Sequence, residues 1–475
     1  MQTVHPNLIA RQRQIRGFVV AWLGITLLMG ALTFIGIYYA TGLASADDGS
    51  SGDNVSVAAV PNTTTTDLNY AAAEEMQQPA ESNEVPAAAQ APQAADPAPA
   101  INPAQDATPI PTPTIAPVQN TAFQLGVQVQ SNPDPEVYRI WMGEVRDKLR
   151  LGWIKQQIRW EDVEPAPGQY EWGTLDTTFA LAKEYGVKVM VSVVTAPDWA
   201  REAGNTRLDE VGPPADPQVY ANFLTVLLYR YPGQIHAVEV WNEMNIDREW
   251  ASIYGLNAPN YVALLSAAYQ SIKAVDPNVM VISGALSPTG WNDGVSAYDD
   301  FVYLDMLIQA GLLNWTDCVG AHHNGYNIGP SVAWNSVPND PTAVFRGPFD
   351  NPHHSWSFYS TLQGYHERIA NAGSDKKLCV TEFGWASTED LTGTPVGFEF
   401  ANDNTLAEQA TFINEAVQLM ESWGFVWVAW VWNLNYGAQS GWDTTNDNVP
   451  YALLRPEWQQ APAYEVISAY DFISR

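Results

Sequence analysis

Two acidic residues stand where apolar runs end. Glu243 closes the run in "VEVWNEMN" (Val238 to Asn245), and Glu382 closes the one in "LCVTEFGW". A cation, Arg159, ends a third run, "QQIRW". A carboxylate in such a place has two uses. It can cap or solvate the loop that follows, or the strand can exist to aim it at a substrate. Two carboxylates that converge can split an acetal: one protonates the leaving oxygen, and the other attacks the anomeric carbon or activates water. Repulsion between them and partial burial keep one of the two protonated near neutral pH.

That chemistry needs strands to place the acids. Eight apolar runs read as strands: "FQLGVQV", "WIKQQIRW", "VKVMVSVV", "AVEVWNE", "VMVISGAL", "CVGAHHN", "LCVTEFG" and "FVWVAWVWN". Helical patterns follow over 136–151, 175–185, 218–231, 260–275, 298–312, 356–372, 405–423 and 461–470. Strand and helix in alternation over about 350 residues predict an α/β chain folded as a (β/α)8 barrel. A doubly wound open sheet is the competing arrangement, but no glycine-rich phosphate loop follows the first strand. In a barrel the chemistry sits at the C-terminal ends of the strands. Alternation puts Glu239, Trp241 and Glu243 on one face of strand four, and Val380 and Glu382 on one face of strand seven. The two strands lie roughly across the barrel from each other, so the acids can meet over its mouth. Glu239 then points inside below Glu243, where an unpaired charge is very costly. Lys155 on strand two is its expected partner.

From about Gly126 onward the chain resembles clan A retaining glycoside hydrolases of the family 39 and family 5 styles. The pieces that carry the likeness are "RWEDVEPAPGQYEW", "TAPDWA", "EVWNEMN", "TEFGW", "VWNLN" and "YALLRPEWQQAPAYEVI". The resemblance implies a role for each matching residue. Glu243 is the acid/base and Asn242 binds the sugar 2-hydroxyl. Glu382 is the nucleophile, oriented and kept ionised by Arg159. His323 joins the subsite, Tyr326 donates a hydrogen bond to Glu382, and Trp432 forms the stacking floor. Met244 stands where the family usually has proline after the acid/base. Trp385 belongs to a set of tryptophans on the upper loops, with Trp199, Trp291, Trp334 and Trp442, whose rings can cover the C–H faces of sugars.

Composition narrows the partners. A formal net charge of −30 over 475 residues excludes nucleic acid and anionic lipid as natural ligands. Neutral carbohydrate is the expected partner, and no cofactor or metal is implied. His322, His323, His353 and His354 fit no standard zinc spacing and read as solvated loop histidines. Cys318 and Cys379 read as two separate buried thiols, with one bridge open to them in an oxidising compartment.

Ahead of the barrel (residues 121–475) come three segments. Residues 1–17 carry Arg11, Arg13 and Arg16; residues 18–40, "FVVAWLGITLLMGALTFIGIYYA", hold 23 residues without a charge. That length matches the roughly 20 residues of a membrane-crossing helix, and the arginines before it keep the N-terminus in the cytoplasm. Residues 41–120, rich in Ala, Pro and Thr, lack the apolar surface to fold and read as a disordered tether on the order of 50 Å across. The expected location is therefore the cell membrane, single-pass, with the barrel outside. A cleaved signal ending near Ala46 would instead give a secreted protein. Two further activities fit the same residues: a transglycosylase, and a silent carbohydrate-binding surface protein.

Overall fold

The computed structural model describes residues 122–338 and 352–473. The expected membrane anchor over 18–40, the tether over 41–120 and part of the long loop after strand six lie outside them. Among the described residues no helix is long and apolar enough to cross a membrane.

Eight parallel strands form the centre: β1 Gln124–Gln128, β2 Trp153–Arg159, β3 Lys188–Val194, β4 Ile235–Val240, β5 Met280–Ser283, β6 Val319–Gly325, β7 Leu378–Trp385 and β8 Val426–Val431. Their order is β5-β4-β3-β2-β1-β8-β7-β6. A parallel bridge between Ile282 and Cys318 closes the ring, with Ser283 N–H donating to the Cys318 carbonyl at 3.2 Å. The barrel expected from the sequence is the one observed.

Helices wrap it: α1 Pro135–Gly143, α2 Gly173–Tyr185, α3 Pro217–Arg230, α4 Ala258–Val275, α5 Asp300–Gln309, α6 Phe358–Asn371, α7 Leu406–Trp423 and α8 Pro462–Ser468. Their ends follow local chemistry. Asp216 caps α3 by accepting from Gln218 N–H, with Pro217 at the first helical position, where its missing N–H costs nothing. Thr405 and Glu408 cap α7 reciprocally. The helix expected over 136–151 keeps an α-helical first half and then winds as a π-turn over Glu144–Lys148.

The barrel interior is layered. Its lower part is apolar: Trp153, Met190, Ala237, Met280, Ile282, Val428 and Trp430 pack with Cys318 and Cys379. Gly126 makes room here, since a Cβ would lie 2.5 Å from the Trp430 ring and 2.8 Å from Trp153 Cβ. Cys318, the residue before β6, and Cys379 of β7 form a disulfide. This corrects the expectation of two separate thiols: adjacent parallel strands bring two inward-facing side chains to bonding distance, which a sequence separation of 61 does not reveal. Above this layer Lys155, Ser192, Glu239 and Thr381 are fully buried.

Candidate active site

The upper interior converges on one imidazole. His322 Nδ1 lies 3.1 Å from Glu243 Oε1 and 3.9 Å from Glu382 Oε2. The two carboxylates expected from strands four and seven therefore meet over the mouth, their nearest oxygens no more than about 7 Å apart even with the two legs laid end to end. Beneath them Lys155 Nζ is 2.8 Å from Glu382 Oε1 and 3.2 Å from Glu239 Oε2. The expected pairing of Lys155 with Glu239 is present, and the same ammonium also reaches Glu382.

Simple alternation does not bring the acids there. β4 stops at Val240, and both Trp241 (φ +75°) and Glu243 (φ +38°) adopt left-handed backbone. Non-glycine residues in that region cost of order 1–3 kcal/mol each and persist only when their surroundings hold them. Here the Trp241 indole N–H donates to the Glu249 carbonyl at 2.8 Å, and Glu243 N–H donates to the Ala285 carbonyl at 2.8 Å. Trp241 is thereby turned outward, against Trp250 and Tyr220, while Glu243 comes back over the barrel. Trp241 and Glu243 thus do not share a face as alternation implied.

On β7 the departure is a bulge. Pairing with β6 slips between Ala321 and His322, and pairing with β8 slips between Val380 and Phe383. Thr381 and Glu382, though consecutive, both reach the interior: Thr381 Oγ1 donates to Glu239 Oε1 at 2.6 Å, and Glu382 accepts from Lys155. Val380 instead packs between barrel and helices. An extra residue in a strand re-aims a side chain in this way.

The electrostatics follow from burial and pairing. Burial acts to raise the Glu243 carboxyl, but the His322 hydrogen bond and charge, Arg248 at 3.7 Å and a hydrogen bond from Ser287 outweigh it and hold the group below its ordinary value. Burial works to lower His322, and the Glu382 charge with the Glu243 hydrogen bond raises it instead. Both directions favour the imidazole over Glu243 as the holder of the proton they share. Burial also lowers Lys155, yet Glu239 and Glu382 together lift it above its usual value, so it stays charged.

Asn242 lies half-buried beside the mouth, its Nδ2 donating to Glu249 Oε2 at 3.4 Å. Glu249 is a third acid of the site that the sequence reading passed over. Burial, then the charge of Glu243, pushes it up to about 7. Its signal was its place six residues after Glu243 in the same loop. Tyr436 was also passed over. Its hydroxyl accepts from Gln128 Nε2 at 2.6 Å, and it is raised by burial and by the nearby Glu382 charge. Asn245 ties the loops after β4 and β5 together, donating to the carbonyls of Ser287 (2.9 Å) and Tyr298 (3.0 Å).

Several expected site residues fall elsewhere. His323 points away from the mouth: its Nε2 faces the Ser355 carbonyl at 3.1 Å, its ring packs against Phe358, and burial lowers it to about 3. His322 takes the place expected for His323, because the chain through β6 turns Cys318, Gly320 and His322 inward. Neither histidine is a solvated loop residue; both are buried. Trp385 is buried between barrel and helices, its indole N–H donating to the Ile328 carbonyl at 2.9 Å, so it offers no face to a sugar. Arg159 pairs with Glu161 (Nε 3.0 Å) and, more loosely, with Asp162 (3.9 Å); Lys155 is the cation on Glu382.

Tyr326 packs edge-on to Phe400 at 4.9 Å and is raised by burial and then by the charges of Glu243 and Asp300. It is not among the described donors to Glu382. Trp432 lies at the mouth in an aromatic cluster with Phe398, Phe400 and Tyr451, its ring 5.0 Å from that of Tyr436. Among the described residues, Asp299, His353 and His354 offer atoms within 4.8 Å of one another, a spacing that could hold a metal ion. Hydrogen bonding accounts for the trio without one. His353 sits 3.1 Å from Asp299, His354 sits 3.0 Å from Asp300, and Asp299 caps α5.

No protein-family model matches the chain, and no curated protein matches it. Among solved structures it is similar to a family 39 glycoside hydrolase from the gut symbiont Bacteroides cellulosilyticus WH2, with a TM-score of 0.53 and 18% identity over 74% of this chain and 64% of that one. A GH39 β-xylosidase from Caulobacter crescentus gives a TM-score of 0.49 and 17% identity over 75% of this chain and 72% of that one. Xylanase 10B from Thermotoga maritima gives 0.47 and 15% over 74% and 96%. The chain thus spans less than two thirds of the first of these structures, and what it shares with that structure is the fold.

Proposed function

We propose that this barrel is a retaining glycoside hydrolase acting on a neutral β-linked polysaccharide or oligosaccharide, with Glu243 as acid/base and Glu382 as nucleophile. One observation carries the reading: a carboxylate from the loop after β4 and one from within β7 share a single imidazole over the mouth of the barrel. The fold shared with a family 39 glycoside hydrolase agrees with it.

In the first step Glu382 attacks the anomeric carbon while the bond to the leaving oxygen breaks, and Glu243 gives that oxygen a proton. The proton is available one hydrogen bond away on His322. In the second step Glu243 takes a proton from water, whose oxygen displaces Glu382 from the sugar. Asn242, at the edge of the mouth, is placed to bind a sugar hydroxyl, and Trp432 to stack on the ring. Arg159 and Tyr326 serve, on this reading, as supports of the rim.

We further infer that the barrel works outside the cytoplasmic membrane, carried by the apolar segment over 18–40. The Cys318–Cys379 bridge supports an oxidising compartment. The test is turnover by the purified full chain of aryl β-xylosides, aryl β-glucosides and a polysaccharide panel, with and without an alcohol acceptor. Product release by wild type and none by Glu382→Ala is the expected result. Equal release by both ends the proposal, and transfer to the alcohol without free sugar makes the enzyme a transglycosylase.

A further inference from the structure

Proposing a hydrolase assigns work to Glu243 and Glu382 but leaves two fully buried charges below them, Lys155 and Glu239, without a task. We propose that these two form a charge dyad in which Lys155 positions Glu382, and Glu239 is the counter-charge that Lys155 keeps when Glu382 becomes an ester. The inference rests on the reading of Glu382 as nucleophile.

The geometry distinguishes the two ends of Glu239. Its Oε1 is fixed by the Thr381 hydroxyl at 2.6 Å and approached by the Ala285 N–H at 3.4 Å and His322 Nε2 at 3.9 Å. Its Oε2 is turned to Lys155 at 3.2 Å. Lys155 in turn lies closer to Glu382, at 2.8 Å, and is itself buried on every side. One ammonium therefore serves two carboxylates. For mere stability one would suffice, because a buried pair gains little over apolar packing, while an unpaired buried charge is strongly destabilising.

The second carboxylate matters during the reaction. When a Glu382 oxygen bonds to the anomeric carbon, its electron pair enters the new C–O bond and the carboxylate charge disappears into a neutral ester. The leaving oxygen departs with the proton from Glu243. Lys155 would then be an unpaired cation inside the barrel, had Glu239 not remained at 3.2 Å. Hydrolysis of the ester returns the electron pair to Glu382 and the charge to its place beside Lys155. Other groups face this pair: His322 from β6, Glu249 from the loop after β4 and Tyr436 from the loop after β8, each in the field of Glu382. Tyr220 and Tyr261 stand near Glu239 from α3 and α4. Lys155 is the one lysine or arginine among the described ion-pair partners of both carboxylates.

The experiment compares full-length wild type, Lys155→Met, Glu239→Gln and the double variant as kcat/KM against pH on an aryl glycoside, with a pre-steady-state burst measured in each. Lys155→Met leaves two neighbouring carboxylates without their cation. Its kcat/KM should fall about 10²-fold, the scale for losing one charge-stabilising donor, with the acidic limb moved to higher pH. Glu239→Gln leaves Lys155 to Glu382 alone, so its acidic limb should move to lower pH and its burst should shrink, because the ester form now holds an unpaired ammonium. The double variant should return the limb toward the wild-type position.

Activity losses at an unmoved acidic limb in both single variants would reduce the pair to a structural one and overturn the proposal. If Lys155→Met does not fold, the nearly isosteric Glu239→Gln carries the same test alone. Absence of wild-type turnover would remove the functional reading instead. Thermal unfolding of the four proteins then tests the pairing alone, and additive losses in the double variant reject the dyad whatever the reaction.

Discussion

The lower and upper halves of the barrel interior are built from the same eight strands and treat the same inward positions in opposite ways. Below, two tryptophans, two methionines and a disulfide fill the space, and alternation along each strand is regular. Above, every inward position that matters carries a charge or a hydroxyl, and regularity fails in two places, at the turn after β4 and at the bulge in β7. Packing tolerates regular geometry because apolar contacts are not directional. Converging two carboxylates on one imidazole needs directions that a pleated strand does not supply, so the backbone departs from the pleat where the chemistry is. The contrast teaches that the lower layer absorbs its register shifts, at Val189/Met190 and Leu378/Cys379, without losing inward–outward alternation, whereas at the site the irregularities re-aim the side chains that carry charge.

The sharpest way to break that contrast is at the top. Glu382→Ala should lower kcat/KM for an aryl glycoside by about 10⁴-fold or more while leaving the fold intact, since a residue acting as part of a unit removes most of the unit's effect. A fall below tenfold would take Glu382 out of the chemistry. Glu243→Gln should cost about 10²- to 10⁴-fold on substrates whose leaving group needs a proton. It should cost far less on nitrophenyl glycosides, whose leaving groups depart unassisted. A loss independent of leaving group would deny Glu243 the role of acid.

The lower half should answer in stability. Replacing Cys318 and Cys379 together by alanine opens a loop of 61 residues and should cost about 4 kcal/mol by the loop-closure relation. The acidic limb of the rate profile should stay where it is. A moved limb would show the two halves to be coupled.

The smallest effect is the most diagnostic of pH. Glu249 is raised to about 7 in the folded protein, so the unfolded chain gives up this proton first. Stability is therefore lost as pH climbs from the ordinary carboxylate range, about 4.3, to that value, and it stays lost above it. Glu249→Gln should leave Tm unchanged at pH 4 and raise it by about 2 °C at pH 8. The same change at both pH values would disconnect Glu249 from the charge of Glu243.

Much of this was readable beforehand. Eight apolar runs with helices between them specified the barrel, because burial on both faces of a parallel strand leaves a continuous apolar signature. Glu243 and Glu382 stood out as acids at the ends of such runs, and the Lys155 partner of Glu239 followed from the cost of an unpaired buried charge. The errors share one origin. The sequence points to His323 rather than His322 at the mouth, to Trp385 as a sugar platform and to Arg159 on Glu382, and the structure places each elsewhere. Each expectation assumes which way a side chain turns at the top of a strand, where one residue of slip reverses the face. The choice between separate thiols and a Cys318–Cys379 bridge stays open in the sequence, and the group around Glu249 is not visible there, for a related reason: both depend on which loops and strands lie side by side.

The amino-acid order alone determined the apolar spans, the helix caps, the alternation of strand and helix, and the presence of acids at two strand ends. These are local properties, set by side-chain character and by backbone preferences within a few residues. Only the closed tertiary structure decided that His322 sits between the two acids, that Lys155 serves Glu382 as well as Glu239, and that Trp241 turns out while Glu243 turns in. Those outcomes balance backbone strain against hydrogen bonds and charges contributed by strands β2, β4, β6 and β7, and that balance exists only once the ring has closed.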